Sequence, residues 1–174
     1  SDILMTGGDP ATMKTDVWKK VLLPLLQPEY DHVQTIRMGT KALTYHPYRF
    51  LTEPDADELI DLFATMRNHG KHVSIMGHFS HHQEMGPVTL EAVRRLREEG
   101  GATIRTQSPV MRHINDDPNV WATMWDKQIQ NGMIPYYMFV ARDTGAQNYF
   151  EITLSRALDI YQGARKQVSG LGHT

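Results

Sequence analysis

Short apolar runs alternate with longer amphipathic stretches along this chain, and that alternation limits its fold more than any single motif does. Residues 3–5 (Ile3-Leu4-Met5), 33–38, 73–76, 103–107 and 134–140 read as strands, most of them rich in apolar or β-branched residues, as strands buried on both faces are. Between them lie helical patterns. Residues 16–26 carry a stripe of Val17, Val21, Leu22, Leu25 and Leu26, and residues 54–68 carry Leu59, Ile60, Leu62, Phe63 and Met66. Residues 87–99 end in Gly100-Gly101, residues 117–130 follow an Asn115-Asp116-Asp117-Pro118 entry that suits a capped helix start, and a last helix is expected over 153–164. Pro54 is expected in the first turn of its helix, with Thr52 or Glu53 just before it. Five β-then-α units without a hairpin dipeptide imply a parallel sheet with crossover helices, hence an α/β fold.

Such a sheet either stays open and doubly wound or forms a section of a (β/α) barrel. Gly7-Gly8-Asp9, Arg37-Met38-Gly39-Thr40, His78, Gln107-Ser108 and Arg142-Asp143 fall at the carboxyl ends of successive strands. A barrel gathers those ends around one mouth, whereas an open sheet concentrates ligands at one switch point. The expectation is therefore part of a TIM-like barrel, five parallel β/α units forming a single domain over 1–174. A complete barrel of eight units takes about 250 residues.

The 174 residues carry a net charge of −2 with no long run of one sign, which argues against nucleic acid as a partner. No apolar run is long enough to span a bilayer and no signal peptide precedes the first strand, so a cytoplasmic location away from membranes is expected. There are no cysteines, which excludes disulfides, thiolate zinc sites and an iron–sulfur cluster ligated by these residues. An apolar strand starting at Asp2 suggests an internal piece of a longer chain, and its outer strands are expected to associate with another copy or to be covered.

Gly7-Gly8-Asp9 lacks the Gly-Lys-Ser/Thr of a phosphate loop and the spacing of a dinucleotide fingerprint. Taken alone it is a tight βα turn in which Asp9 caps a helix. Taken functionally, glycines let a ligand approach the backbone and an adjacent carboxylate binds an ammonium. His78-Phe79-Ser80-His81-His82-Gln83-Glu84 is the most metal-like stretch, but a strand-ending His78 and two loop histidines need not converge, so a polar-ligand site at His78 is preferred to a metal site. Gln107 both donates and accepts, and Pro109 is expected to stop its strand. Residues 43–54, with Tyr45, His46, Tyr48 and Arg49, form a long excursion of the kind that builds active sites on barrels. Trp121 and Trp125, four residues apart, are expected to pack.

In sequence order, TGGD (6–9), IRMGT (36–40), GHFSHHQE (77–84), RTQSP (105–109) with RHINDD (112–117), and PYYMF (135–139) with Asp143 resemble the lysine 2,3-aminomutase family of radical S-adenosylmethionine enzymes. Ser169-Gly170-Leu171 resembles the lead into that family's C-terminal region. The resemblance implies a partial barrel that uses S-adenosylmethionine, a [4Fe–4S] cluster and pyridoxal phosphate, with the cluster cysteines and the pyridoxal lysine in segments flanking this one. It implies cofactor binding at Gly7, Gly8 and Asp9, which hold the methionine amino group, and at His78 and Gln107 near the adenosine and methionine parts. It implies that Asp143 meets the distal ammonium of an amino-acid substrate, with a second recognising acid downstream. The implied chemistry is a shift of an amino group from carbon 2 to carbon 3, initiated by a 5′-deoxyadenosyl radical. Ser80 and His82 depart from the Asn and Pro common in the family. Two other readings stand beside this one: a binding domain for a nucleoside or amino acid without catalysis, and a metallohydrolase built on His78, His81 and His82.

Overall fold

The computed structural model describes residues 1–141 and 145–172. Five strands, β1 (Asp2–Met5), β2 (Thr35–Thr40), β3 (His72–His78), β4 (Thr103–Val110) and β5 (Ile134–Val140), form one sheet in chain order, and the β1–β2, β2–β3 and β4–β5 pairs are parallel. Order without reversal is that of consecutive strands around a barrel; a doubly wound sheet reverses at its switch point. The helices are α1 (Thr15–Leu22), α2 (Ala42–Tyr45), α3 (Ala56–Asn68), α4 (Pro87–Glu98), α5 (Pro118–Gln130), α6 (Gln147–Phe150) and α7 (Leu154–Arg165). The expected α/β fold and all five expected strands are present. Among the described residues no helix is long and apolar enough to cross a membrane.

Burial follows position in the sheet. β3 is buried at five consecutive residues, Val73 to Gly77, whereas the outer strands β1 and β5 are largely half-buried or exposed. The chain divides into two compact units, residues 1–77 with 86–104, and residues 78–85 with 105–174. The first unit is built on Trp18, Leu22, Ile36, Phe50, Phe63 and Ile75, all at most 1% exposed. In the second, Trp121 and Trp125 pack edge to face at 5.6 Å, and the Trp121 indole N–H donates to the Asn115 carbonyl at 2.6 Å. An aromatic N–H thus satisfied carries no desolvation penalty into the core.

Two boundaries differ from expectation for local reasons. α3 starts at Ala56, two residues beyond Pro54, because the Asp55 carboxylate turns away from its own helix to accept from Thr15 N–H at 2.7 Å and from Arg49. Pro109 does not stop β4, which runs to Val110. The ladder with β5 shifts register between Thr106 and Gln107, and Pro109 is then paired with Phe139 while donating nothing to the ladder. The helix starting at Pro118 is capped as its sequence suggests, with Asp117 accepting from Asn119 N–H at 2.8 Å.

Candidate functional site

β1 ends in two consecutive residues with positive φ, Gly7 at 98° and Gly8 at 60°. A Cβ at either position would touch nothing within 4 Å, so glycine is needed here for the backbone conformation and not for space. The turn delivers Asp9 to the head of the short 3-10 helix Pro10–Thr12, where its Oδ1 accepts from Ala11 N–H at 3.0 Å, the capping role expected of it. Asp9 also gathers donors from the end of β2. Its Oδ1 takes the Thr40 hydroxyl at 2.7 Å, and its Oδ2 takes the Lys41 N–H at 2.8 Å and the Tyr45 hydroxyl at 3.3 Å. Thr40 in turn accepts from Ala42 N–H at 2.9 Å, which starts α2. Tyr45 is held above the usual phenol range by burial, then by the charge and hydrogen bond of Asp9.

A hollow of about 400 Å³ opens beside this turn, lined by Gly7, Gly8 and Asp9 together with Leu4, Met5 and Met13. Its floor joins a flexible, polarisable apolar surface to one carboxylate and to glycine backbone that nothing shields. The segment behind it is pinned by Arg49, 2% exposed, whose guanidinium donates to the Ala11 and Met13 carbonyls at 2.9 and 3.0 Å and to Asp55 at 3.1 Å. Burial alone would push the Asp55 carboxyl up. Its hydrogen bonds with Thr15 and the Arg49 charge outweigh that and hold it below the ordinary carboxylate value.

In the second unit His78 ends β3, half-buried, with Nε2 3.1 Å from the Ser80 hydroxyl. The Ser80 N–H donates to Glu84 at 2.7 Å, and the Ser80 carbonyl accepts from the Asn115 amide at 2.8 Å. Phe79 N–H donates to the Gln107 carbonyl at 3.1 Å, which ties the end of β3 to the middle of β4 and brings His78 and Gln107 into one neighbourhood. Asn115, 1% exposed, also donates to the Pro109 carbonyl and accepts from Met111 N–H, so it staples the two loops together. The three histidines of this stretch do not converge. His81 Nδ1 accepts from Gln83 N–H, His82 stacks on His81 at 4.1 Å, and among the described residues no three His, Cys, Asp or Glu side chains are placed to hold a metal. His81 Nδ1 is taken up by the local turn, whereas His82 Nδ1 is buried without a hydrogen-bond partner, and the metallohydrolase reading gains no support from this arrangement. Burial, followed by the nearby His81 and Lys127, lowers the His82 pKa.

Asp143, the expected substrate acid, lies outside the described residues, as does Arg142. Sequence reasoning marked the 43–54 excursion but missed what its residues do. Tyr45 reaches Asp9, and Arg49 holds the segment after it, across 36 and 38 positions of chain, and no local pattern encodes such contacts.

No sequence-family model matches the chain. A putative L-lysine 2,3-aminomutase of Aquifex aeolicus (strain VF5) is 33% identical over 171 residues, 98% of this chain and 44% of the relative. The glutamate 2,3-aminomutase of Clostridioides difficile (strain 630) is 28% identical over 170 residues, covering 98% of this chain and 37% of that protein. The L-lysine 2,3-aminomutase of Clostridium subterminale is 25% identical over 171 residues, 97% of this chain and 38% of that protein. The chain thus spans less than half the length of these curated relatives. Among solved structures, a radical SAM methyltransferase from Sphaerobacter thermophilus superposes with a TM-score of 0.62 over 95% of this chain and 48% of its own, at 15% identity, which is a likeness of fold. The resemblance read in the sequence motifs is borne out by these relatives.

Proposed function

The chain is homologous over nearly its whole length to the lysine and glutamate 2,3-aminomutases, and from that kinship we propose that it is the S-adenosylmethionine-binding section of a radical S-adenosylmethionine amino acid 2,3-aminomutase. The observation that carries the reading is the hollow at the end of β1, where unshielded glycine backbone, one carboxylate and methionine side chains meet. These groups suit the methionine part of the cofactor. The carboxylate and the free Gly7 and Gly8 backbone take an ammonium, and Met5 and Met13 present soft apolar surface to an aliphatic thioether-like chain. His78 and Gln107, joined through Phe79, are proposed from the family resemblance to meet the adenosine and methionine parts of the cofactor. Asp143 is the acid proposed to pair with a cationic substrate end.

When bound, S-adenosylmethionine with a reduced iron–sulfur cluster supplies hydrogen abstraction, and pyridoxal phosphate supplies the carrier on which an amino group moves. The residues of this chain contribute binding, orientation and exclusion of water. They provide no thiolate for a cluster, since the chain has no cysteine. Asp9 and the two glycines fix the amino-acid end of the cofactor, and fixing one end sets the direction of the rest. The substrate is proposed to be an α-amino acid with a cationic distal end, such as lysine.

The test is anaerobic cleavage of S-adenosylmethionine to 5′-deoxyadenosine by the protein in its full reading frame, reconstituted with iron and sulfide and reduced. Cleavage is expected, and Asp9→Ala is expected to raise the KM for S-adenosylmethionine by about tenfold or more, the loss of one charge-assisted hydrogen bond of about 1.5–3 kcal/mol. An unchanged KM in a folded Asp9→Ala protein contradicts the assignment of this turn.

A further inference from the structure

The carboxylate of Asp9 has about four acceptor positions, and all four are filled in the structure. Three of the donors are held in place by backbone or by burial. Ala11 N–H starts a helix and belongs to a residue that is 0% exposed, the Thr40 hydroxyl belongs to a side chain that is 4% exposed, and Lys41 N–H is backbone at the end of β2. The fourth differs in each respect. Tyr45 is 56% exposed, is the last residue of the four-residue α2, and makes the longest of the four bonds at 3.3 Å. A phenol released from there is rehydrated at little cost, while an ammonium brought to the same oxygen adds a full ion pair to the hydrogen bond that the uncharged phenol makes.

Resting on the reading of the Gly-Gly-Asp turn given above, we infer that Tyr45 is the exchangeable partner of Asp9: its hydroxyl holds the carboxylate oxygen that the amino group of S-adenosylmethionine takes, and binding displaces it. Tyr45 is then a positioning residue. It keeps Asp9 aimed while the turn is empty of ligand, and it sets a threshold that only a ligand carrying an ammonium crosses. A ligand with the adenosine and thioether parts but no amino-acid end leaves the contact intact.

The experiment uses the protein in its full reading frame with tyrosine labelled at the ring carbon bearing the hydroxyl, the Tyr45 signal being assigned by its disappearance in Tyr45→Phe. S-adenosylmethionine is expected to move the Tyr45 signal, and 5′-methylthioadenosine, which lacks the amino-acid end, to leave it in place. By calorimetry, Tyr45→Phe is expected to bind S-adenosylmethionine roughly two- to tenfold more tightly, the worth of one long, solvent-exposed hydrogen bond to a carboxylate, and 5′-methylthioadenosine unchanged. An unmoved Tyr45 signal on saturation with S-adenosylmethionine, or an unchanged or weaker affinity in Tyr45→Phe, overturns the inference while leaving the turn's assignment in place. If Asp9→Ala binds S-adenosylmethionine as well as the parent does, the assignment itself fails and the role of Tyr45 fails with it.

Discussion

Asp9 caps one short helix and at the same time collects a hydroxyl and a backbone N–H from the end of the neighbouring strand. The capping role was legible from Gly-Gly-Asp-Pro alone, because turn chemistry is local. The Thr40 and Tyr45 contacts were not, because they depend on the parallel register that sets Met5 opposite Met38. His113 is a second residue whose backbone is more telling than its side chain. It is the single non-glycine with positive φ among the described residues, at 69°, held there by its N–H donating to Asp116 at 3.2 Å and by its ring lying 4.9 Å from that of Tyr149. Histidine tolerates that region better than a β-branched residue does. His113→Val is therefore expected to lower stability by about 1–2 kcal/mol, and His113→Gly to stay within about 0.5 kcal/mol of the parent. Urea midpoints at unchanged slope measure both, and a valine variant as stable as the glycine variant contradicts the account of this position.

The strands were legible because a buried parallel strand is an uninterrupted apolar run, and the run read at residues 73–76 is the buried centre of β3. α1 was expected as one helix over 16–26, but it ends at Leu22 and continues as a 3-10 turn through Pro24, whose ring cannot sit in a regular helix interior. The start of α3 escaped because Asp55 is recruited by Thr15 and Arg49, forty and six residues away. That junction has two measurable consequences. Arg49→Lys keeps the charge but loses the fork that reaches the Ala11 and Met13 carbonyls as well as Asp55, and is expected to cost about 1–3 kcal/mol with faster hydrogen exchange at residues 11–13. Unchanged exchange there argues against Arg49 as the anchor of the turn. Asp55 also links stability to pH. Its carboxyl is lowered in the fold, so its contribution is present above the ordinary value of about 3.9 and is lost as pH falls below it, where the unfolded chain binds the proton first. Asp55→Asn is accordingly expected to lose less stability than the parent between about pH 5 and pH 3. Equal losses in urea titrations contradict this assignment.

For the molecule as a whole, chain-order strands place β1 and β5 at the two ends of the sheet. Tyr137 and Phe139 on β5 are 51% and 41% exposed, and beside them Leu154 and Leu158 of α7 help to line an apolar hollow of about 340 Å³. Edge backbone next to exposed apolar side chains favours association, so the 174-residue chain by itself is expected to self-associate, and Phe139→Lys with Leu158→Lys to shift it toward monomer in sedimentation. A parent chain that is already monomeric at tens of micromolar removes that expectation. The order of five polar strand ends, weak one at a time, carried the family resemblance because a parallel sheet brings its strands' carboxyl ends to one edge. Asp143, proposed as the substrate acid, lies outside the described residues. The central claim is most directly met by incubating the reconstituted full-length protein with S-adenosylmethionine, pyridoxal phosphate and either L-lysine or L-glutamate, and following the amino acid by NMR. The account predicts a product with its amino group moved from carbon 2 to carbon 3, formed only with S-adenosylmethionine and lost in Asp9→Ala. Transfer of a methyl group, or a 2,3-shift that persists without S-adenosylmethionine or in Asp9→Ala, would contradict it.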